Sequence, residues 1–385
     1  MGDLFLVHGM KVFICILVLV VTLTGYVSWH LWRITPIGWP LKLAITSAFL
    51  VWMASFFVSF IMMERFPIKV ATVLYEVGGT WLIVFLYLLV IFLMIDIMSL
   101  FHMPVKTFLK NSWAGTFSVF GIVAMVMIAG GLQYHRKSRE VLTITTSKPL
   151  ERPLTIVMAS DLHVGYHNRR VEIARWVDFI NAEKPDLVLI GGDIIDRSLR
   201  PVLEGEYSEE FRRIQTPVYT VLGNHEYYSS NPRMMKDGTS GSSNEGSAMK
   251  DVEHFFRDAG IVMLRDSVVH FGGVDIIGRD DRMSRHRAKL KELTAGLKGF
   301  TILLDHQPYH LEEAEEAGID FQFSGHTHYG QVWPLSWITR IMYEQPWGHH
   351  RRGNTRYYIS SGLGIWGPKI RIGTRSEYLV VKLRN

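Results

Sequence analysis

The sequence predicts an N-terminal region of four transmembrane helices followed by an α/β domain built as a sandwich of two sheets. Three observations predict it. The first third of the chain is almost wholly hydrophobic and falls into four long runs. After about residue 152, short apolar strand-like runs alternate with amphipathic ones, as in layered α/β folds. Five of those runs are followed within a few residues by Asp, Asn or His. The chain has 385 residues, enough for more than one domain. Its net charge is +5, from scattered basic residues with no run suited to nucleic acid. The single cysteine, Cys15, excludes an intrachain disulfide.

The four apolar runs are Val12 to Trp32, Leu41 to Met63, Gly79 to Phe101 and Trp113 to Tyr134. Each meets the length of about 20 residues that a helix needs to cross a hydrocarbon core. The turns between them are short and polar: Arg33 to Pro40, Glu64 to Lys69 and His102 to Ser112. The first run is too long for a signal-peptide core and lacks a small-x-small cleavage site, so it reads as a retained helix. Trp and Tyr near the run ends fit an interfacial belt. With four crossings, both termini share one side, together with Lys11, Arg65, Lys69, Arg136, Lys137 and Arg139. The other side has Arg33, Lys42, Lys106 and Lys110, and the excess places both termini in the cytoplasm of a multi-pass inner-membrane protein. Glu76 and Asp96 read as acids near helix ends, at headgroup depth.

Residues 1–134 are thus the membrane anchor. Residues 135–152, polar and basic, read as a linker into a soluble domain over 153–385. In that domain Thr155 to Ala159, Leu187 to Ile190, Val218 to Leu222, Thr301 to Leu304 and Phe321 to Phe323 read as buried strands. Val171 to Ala182 and Met249 to Ala259 read as helices, and Tyr228 to Ser247 as a mobile loop rich in Ser, Gly, Asn and Met. Val268 to Gly278 and Arg356 to Ser361 alternate like strands of the second sheet, and Glu377 to Leu383 reads as the closing strand. His349 and His350 lie in a basic surface loop.

The domain is organised around Gly191-Gly192-Asp193-Ile194-Ile195-Asp196. Two glycines force a tight turn at the end of a buried strand, and Asp193 leaves from its carboxyl end, where open α/β sheets bind ligands. Four other strand ends match it: Asp161-Leu162-His163, Gly223-Asn224-His225-Glu226, His306 and Gly325-His326-Thr327-His328. Singly, each is ordinary, since a lone histidine at a strand end is more often satisfied structurally. Jointly they place Asp161, His163, Asp193, Asn224, His306, His326 and His328 at one end of a sandwich, with His225 and Asp196 beside them. His167, His270, His286 and His310 lack that context.

Carboxylate, imidazole and amide oxygen together suit manganese, iron or zinc better than magnesium or calcium. Seven such residues are too many for one ordinary ion and suit two divalent metals that share a carboxylate. Two metals about 3.5–4 Å apart clamp a phosphoryl group and hold a hydroxide formed from water of lowered pKa. No Gly-x-Ser-x-Gly elbow is present.

In this order the residues from Leu154 to Leu383 resemble the calcineurin-like metallophosphoesterase superfamily. Ser361-Gly362-Leu363-Gly364 through Arg371 to Glu377 is similar to its membrane-associated bacterial branch. That branch is grouped with UDP-2,3-diacylglucosamine hydrolases of lipid A biosynthesis and with transmembrane proteins carrying a metallophosphoesterase domain. The resemblance implies that Asp161, His163 and His328 hold one metal, that Asn224, His306 and His326 hold the other, and that Asp193 bridges them. It implies that His225 acts on the phosphate and that Asp196 orients His225 or a ligand. The expected activity is hydrolysis of a phosphoester or pyrophosphate by a metal-bridging hydroxide, possible substrates being lipid-linked ones at the bilayer. The alternatives are a broad-specificity phosphodiesterase and an inactive membrane receptor or scaffold of the same fold. Two residues depart from the branch pattern. Tyr329 replaces glycine, which narrows the substrate mouth, and Asp305 replaces a small residue, which adds negative charge near the second metal. Trp333, Trp337, Trp347 and Trp366 are expected either as a hydrophobic mouth or as scattered packing aromatics.

Overall fold

The computed structural model describes residues 2–230 and 245–385. The chain divides into two compact units, Met1–Ala129 and Gly130–Asn385.

The first unit is helical. It holds α1 (Gly2–Ile34), α2 (Trp39–Met62), α3 (Ile68–Leu100), the short α4 (Val105–Leu109) and the start of α5 (Trp113–His135). Three helical segments are long and apolar enough to cross a membrane: Trp39–Arg65, Ile68–Leu100 and Trp113–His135. The first expected crossing falls in α1, many of whose side chains lie outside the described residues. Gly78 lets α3 approach α2 closely: a Cβ there would stand 2.6 Å from the Phe56 Cα. The third helix begins eleven residues before the expected Gly79, so Glu76 lies within it rather than at its end. Asp96 is partnered on three sides. The Tyr26 hydroxyl donates to it at 2.8 Å, Lys106 pairs with it at 3.1 Å and His30 Nε2 lies 3.3 Å away.

The second unit is the expected sandwich. One sheet has the order β1-β12-β2-β3-β4-β5 and the other β10-β11-β9-β8-β7-β6. The strands are β1 Lys137–Thr145, β2 Leu154–Ala159, β3 Leu187–Ile190, β4 Val218–Thr220, β5 Ile261–Met263, β6 Ser267–Phe271, β7 Val274–Gly278, β8 Phe300–Leu304, β9 Phe321–Ser324, β10 Gly348–Arg352, β11 Thr355–Ile359 and β12 Ser376–Arg384. Period-two alternation sorts their side chains. Ile156, Met158, Leu187 and Leu189 face Ile302, Leu304, Phe321 and Phe323 between the sheets. Val157, Ala159, Val188 and Ile190 face Ile173, Trp176, Val177 and Ile180 of α6 (Arg170–Ala182).

Three expectations are corrected. Residues 137–145 are not linker but strand β1, paired in parallel with β12 from Lys137–Ser376 to Thr145–Arg384. Arg139, Thr143 and Thr145 of the stretch that suggested a linker are exposed on this strand, while Ile144 is buried in the inter-sheet core. Val268 to Gly278, expected to alternate as second-sheet strand, is the hairpin β6–β7 with β7 buried throughout, turned at Gly272-Gly273, both with positive φ. His349 and His350 lie on strand β10, paired with β11, rather than in a loop. Of the expected loop Tyr228 to Ser247, residues 231–244 lie outside the described residues, and both flanks are helical, Asn224–Ser230 and Glu245–Asp258.

Strands β2, β3 and β4 run parallel to one another, as do β8 and β9. Their carboxyl ends carry the five segments singled out above.

Candidate metal centre

The loops after β2 and β3 are joined by backbone hydrogen bonds. Asp161 N donates to Gly192 O at 3.0 Å, and His163 N donates to Asp193 O at 3.0 Å. The loops after β8 and β9 are joined in the same way by Gly325 N to His306 O at 2.9 Å. Three clusters result, each with its candidate ligand atoms within 4.8 Å of one another: Asp161, His163 and His328; His163, Asp193 and His225; Asp193, His306 and His326. Asp193 belongs to two of them. Its Oδ2 lies 3.1 Å from His306 Nε2 and 3.7 Å from His163 Nε2. Asn224 joins through its neighbours, for His225 N donates to Asp193 Oδ1 at 2.9 Å. All seven expected ligand residues, with His225 and Asp196, thus fall at one place.

The donor set fits divalent cations. Asp161, His163, Asp193 and His306 are buried to 2% exposure or less, where bare charge is costly unless paired or coordinated. Asn224 Oδ1 is buried with no hydrogen-bond partner. His163 Nε2 and His328 Nε2 face each other at 3.0 Å, a separation of two ring nitrogens that calls for a proton or a cation. Burial holds His328 well below the usual imidazole range and lowers His326 to about 3, so both stay neutral, the form that ligates. Burial opposes charge on His225 as well, but the Asp193 and Asp196 carboxylates outweigh it and push that ring up to about 9. Its Nδ1 lies 2.8 Å from Asp196 O and 3.2 Å from Asp196 Oδ1. Asp196 Oδ1 also stands 3.5 Å from His163 Nδ1, so this one carboxylate faces two rings of the site.

The backbone is bent to make this arrangement. Five of the seven residues, Asp161, His163, Asp193, His326 and His328, have φ between 46° and 71°, in the left-handed region. Such conformations cost about 1–3 kcal/mol each and cluster where function demands them. Two glycines make room for the carboxylates. A Cβ on Gly223 would stand 2.1 Å from Asp193 Oδ1, and one on Gly325 would stand 2.2 Å from Asp161 Oδ2.

Sequence reasoning gave no role to three residues that build the site. Glu226, fully buried, accepts from Asp193 N at 3.1 Å, Ile195 N at 2.9 Å and Gly223 N at 2.7 Å, tying two of the loops together. Burial and the nearby Asp193 raise it to about 7. Its place in Gly223-Asn224-His225-Glu226 was the available signal. Asn168 donates to the carbonyls of Leu162 and His163, and accepts from the Tyr134 hydroxyl at 2.6 Å. Arg371, fully buried, donates to the carbonyls of His328, Ser361, Gly362 and Gly364.

The two departures are placed as follows. Asp305 turns to Arg279 and Arg287, which balance its charge. Tyr329 stacks on Trp347, ring centroids 5.3 Å apart, and both line a cavity of about 250 Å³. The four tryptophans do not form one mouth. Trp347 lines that cavity, Trp333 packs edge-on against Trp337, and Trp337 and Trp366 are exposed.

Residues 154–330 match the family model of calcineurin-like phosphoesterases. The chain is similar to an uncharacterized metallophosphoesterase of Helicobacter pylori, 29% identical over 242 residues, covering 61% of this chain and 60% of that protein. It is also similar to a transmembrane protein with metallophosphoesterase domain of Danio rerio, 28% identical over 252 residues, covering 60% of this chain and 53% of that protein. The chain thus spans about 60% of the length of the first of these relatives and about half of the second. A dimetal phosphatase of Danio rerio aligns over 60% of this chain and 99% of its own, at 13% identity and a TM-score of 0.39. With the strand-end residues gathered as described, the chain carries, over residues 154–330, a calcineurin-like metallophosphoesterase domain.

Proposed function

We propose that this protein is a membrane-anchored phosphoesterase with two divalent metals, acting on a phosphoester or pyrophosphate bond of a lipid-linked substrate. The observation that carries the reading is the position of Asp193 within reach of histidines from both sides of the site. In this reading Asp161, His163 and His328 hold one ion, Asn224, His306 and His326 the other, and Asp193 both. Bound there, the ions would supply Lewis acidity at a phosphoryl oxygen and an acidified water. The chain's own residues do the rest. His225, held by Asp196, is placed to donate a proton to the leaving oxygen or to stabilise charge on the phosphate. Asp196 holds that ring by Nδ1, through both its backbone carbonyl and its carboxylate.

The lipid reading is supported by the apolar helices, which confine the site to a bilayer surface. A nucleotide-lipid pyrophosphate such as UDP-2,3-diacylglucosamine is the substrate we favour. We further propose four crossings, with α1 as the first, and the domain on the cytoplasmic face of the inner membrane. The test uses purified full-length protein. Bound metal is counted, and hydrolysis of phosphomonoesters, phosphodiesters and lipid pyrophosphates is followed with manganese, iron or zinc added. About two ions per chain and metal-dependent turnover are expected. A chain that binds no metal and cleaves nothing in the panel sinks the proposal.

A further inference from the structure

The helix Leu335–Met342 is built inside out. Its small polar residue Ser336 is buried with Tyr343, just past its end, while its large apolar residues point outward. Trp337 is 57% exposed, Ile338 52%, Ile341 86% and Met342 58%. At 100° per residue these four and Leu335 cover one continuous arc of nearly half the helix. A folded domain rarely leaves such a face to water, and one of this kind marks a membrane or protein contact.

We propose that this face is seated in the membrane interface, with its apolar side chains at the boundary between headgroups and acyl chains. Three features favour lipid as the occupant. First, the same compact unit contains Gly130–His135, the last residues of α5, a helix apolar and long enough to cross a bilayer. Second, the inverted helix connects to those residues through packed groups. Trp337 packs edge-on against Trp333, ring centroids 5.4 Å apart, and a Cβ on Gly373 would stand 3.4 Å from the Trp333 Cβ. Gly373 and Gln133 line the same cavity, and Gln133 Nε2 donates to Thr374 O at 3.3 Å. Third, the helix carries its own cation. The Arg340 guanidinium is exposed and donates to the Tyr329 hydroxyl at 2.8 Å, and among the described residues no carboxylate pairs with it. A tryptophan, four aliphatic side chains and an arginine that no carboxylate neutralises among the described residues are the composition of an interfacial helix on anionic lipid.

The consequence concerns the cavity of about 250 Å³ lined by Tyr329, Trp347 and Arg375. Tyr329 directly follows the candidate ligand His328, so a seated helix sets this cavity beside the headgroup layer. That consequence rests on the phosphoesterase reading, whereas the seat does not.

The test reads the seat alone, on the full chain in vesicles of phosphatidylethanolamine and phosphatidylglycerol. Cys15→Ser removes the native thiol, and Ile341→Cys or Met342→Cys then takes an environment-sensitive fluorophore. Both positions are exposed, so labelling leaves the core intact. Val262→Cys is the reference, on β5, the sheet edge farthest from β1 and hence from the end of α5. We expect blue-shifted emission at 341 and 342 and its loss when lipids carry a nitroxide high on the acyl chain, with neither effect at 262. Water-like, unquenched emission at 341 and 342 overturns the proposal by showing a solvated face. Blue-shifted emission that nitroxide lipids do not quench overturns it too, because a protein or a second copy of the chain then covers the helix. Metal content is unchanged in either case, so failure here is distinct from failure of the phosphoesterase reading.

Discussion

Asp193 is the residue on which the two sides of the site meet. Asp193→Asn keeps the shape but removes the charge that both proposed ions would share. We expect it to lose bound metal and turnover more completely than alanine at any single terminal ligand, as read by metal analysis and hydrolysis on the same preparation. Near-normal metal and rate would refute the shared-carboxylate assignment. His225→Ala should keep metal and lose turnover by about 10²–10⁴-fold, the range of a positioned acid. Loss of an ion instead would make His225 a ligand. Glu226→Ala leaves three buried N–H groups unpaired, and at roughly 1–3 kcal/mol each it should destabilise the domain by about 3 kcal/mol or more, visible in denaturant unfolding. The nine residues singled out from the sequence were legible because each lies within a few residues of the end of an apolar run that forms a strand. Glu226, Asn168 and Arg371 were not, because their work is to hold backbone carbonyls and N–H groups of other loops. Which loops those are is fixed only when the two sheets bring their ends together.

Strand β1 changes where the second compact unit begins. A chain starting near Thr145, as the linker reading would suggest, lacks all but the last residue of β1 and exposes the β12 edge along the paired register from Lys137–Ser376 onward. It also lacks Tyr134, buried to 1% and bonded to Asn168, which braces the carbonyls of Leu162 and His163. Losing Ile144 and Tyr134 from their packed sites should cost several kcal/mol, at about 2–5 for each large buried side chain. We expect the chain from Thr145 to aggregate or melt far below one starting at Gly130, the first residue of the compact unit. Equal melting temperatures and metal contents would show that β1 is dispensable. Most strands and α6 were readable because their burial is complete on one or both faces. β1 was not, because it is a sheet edge with one solvated side, and its partner β12 lies more than two hundred residues away. The β6–β7 hairpin falls in a stretch read as second-sheet strand, and Gly272-Gly273 marks its turn.

For the molecule as a whole, the apolar helices and the inverted helix Leu335–Met342 bear on the proposal that the site meets a substrate fixed in a bilayer. Among the described residues, every candidate ligand lies between Asp161 and His328, in the second unit, and none lies in the apolar helices. The chain from Gly130 should therefore bind metal and hydrolyse a small soluble ester, such as p-nitrophenyl phosphate or its diester, at the rate of the full-length protein. On an ester embedded in vesicles it should fall behind. Tethering replaces a search in three dimensions by one along a surface and raises the effective concentration of the substrate, a gain on the order of 10²-fold when the geometry allows it. The inverted helix, if seated as proposed, should leave the truncated chain some residual affinity for vesicles, and Ile341→Glu with Met342→Glu in that chain should abolish it. The measurement is the ratio of rates on embedded and soluble ester for the full chain, the chain from Gly130 and its double variant, and the expected order is descending. Equal ratios for the first two would mean that the apolar helices have no part in access. A chain from Gly130 that binds metal but cleaves neither ester would mean that those helices shape the site itself, and the division between anchor and catalyst would fail.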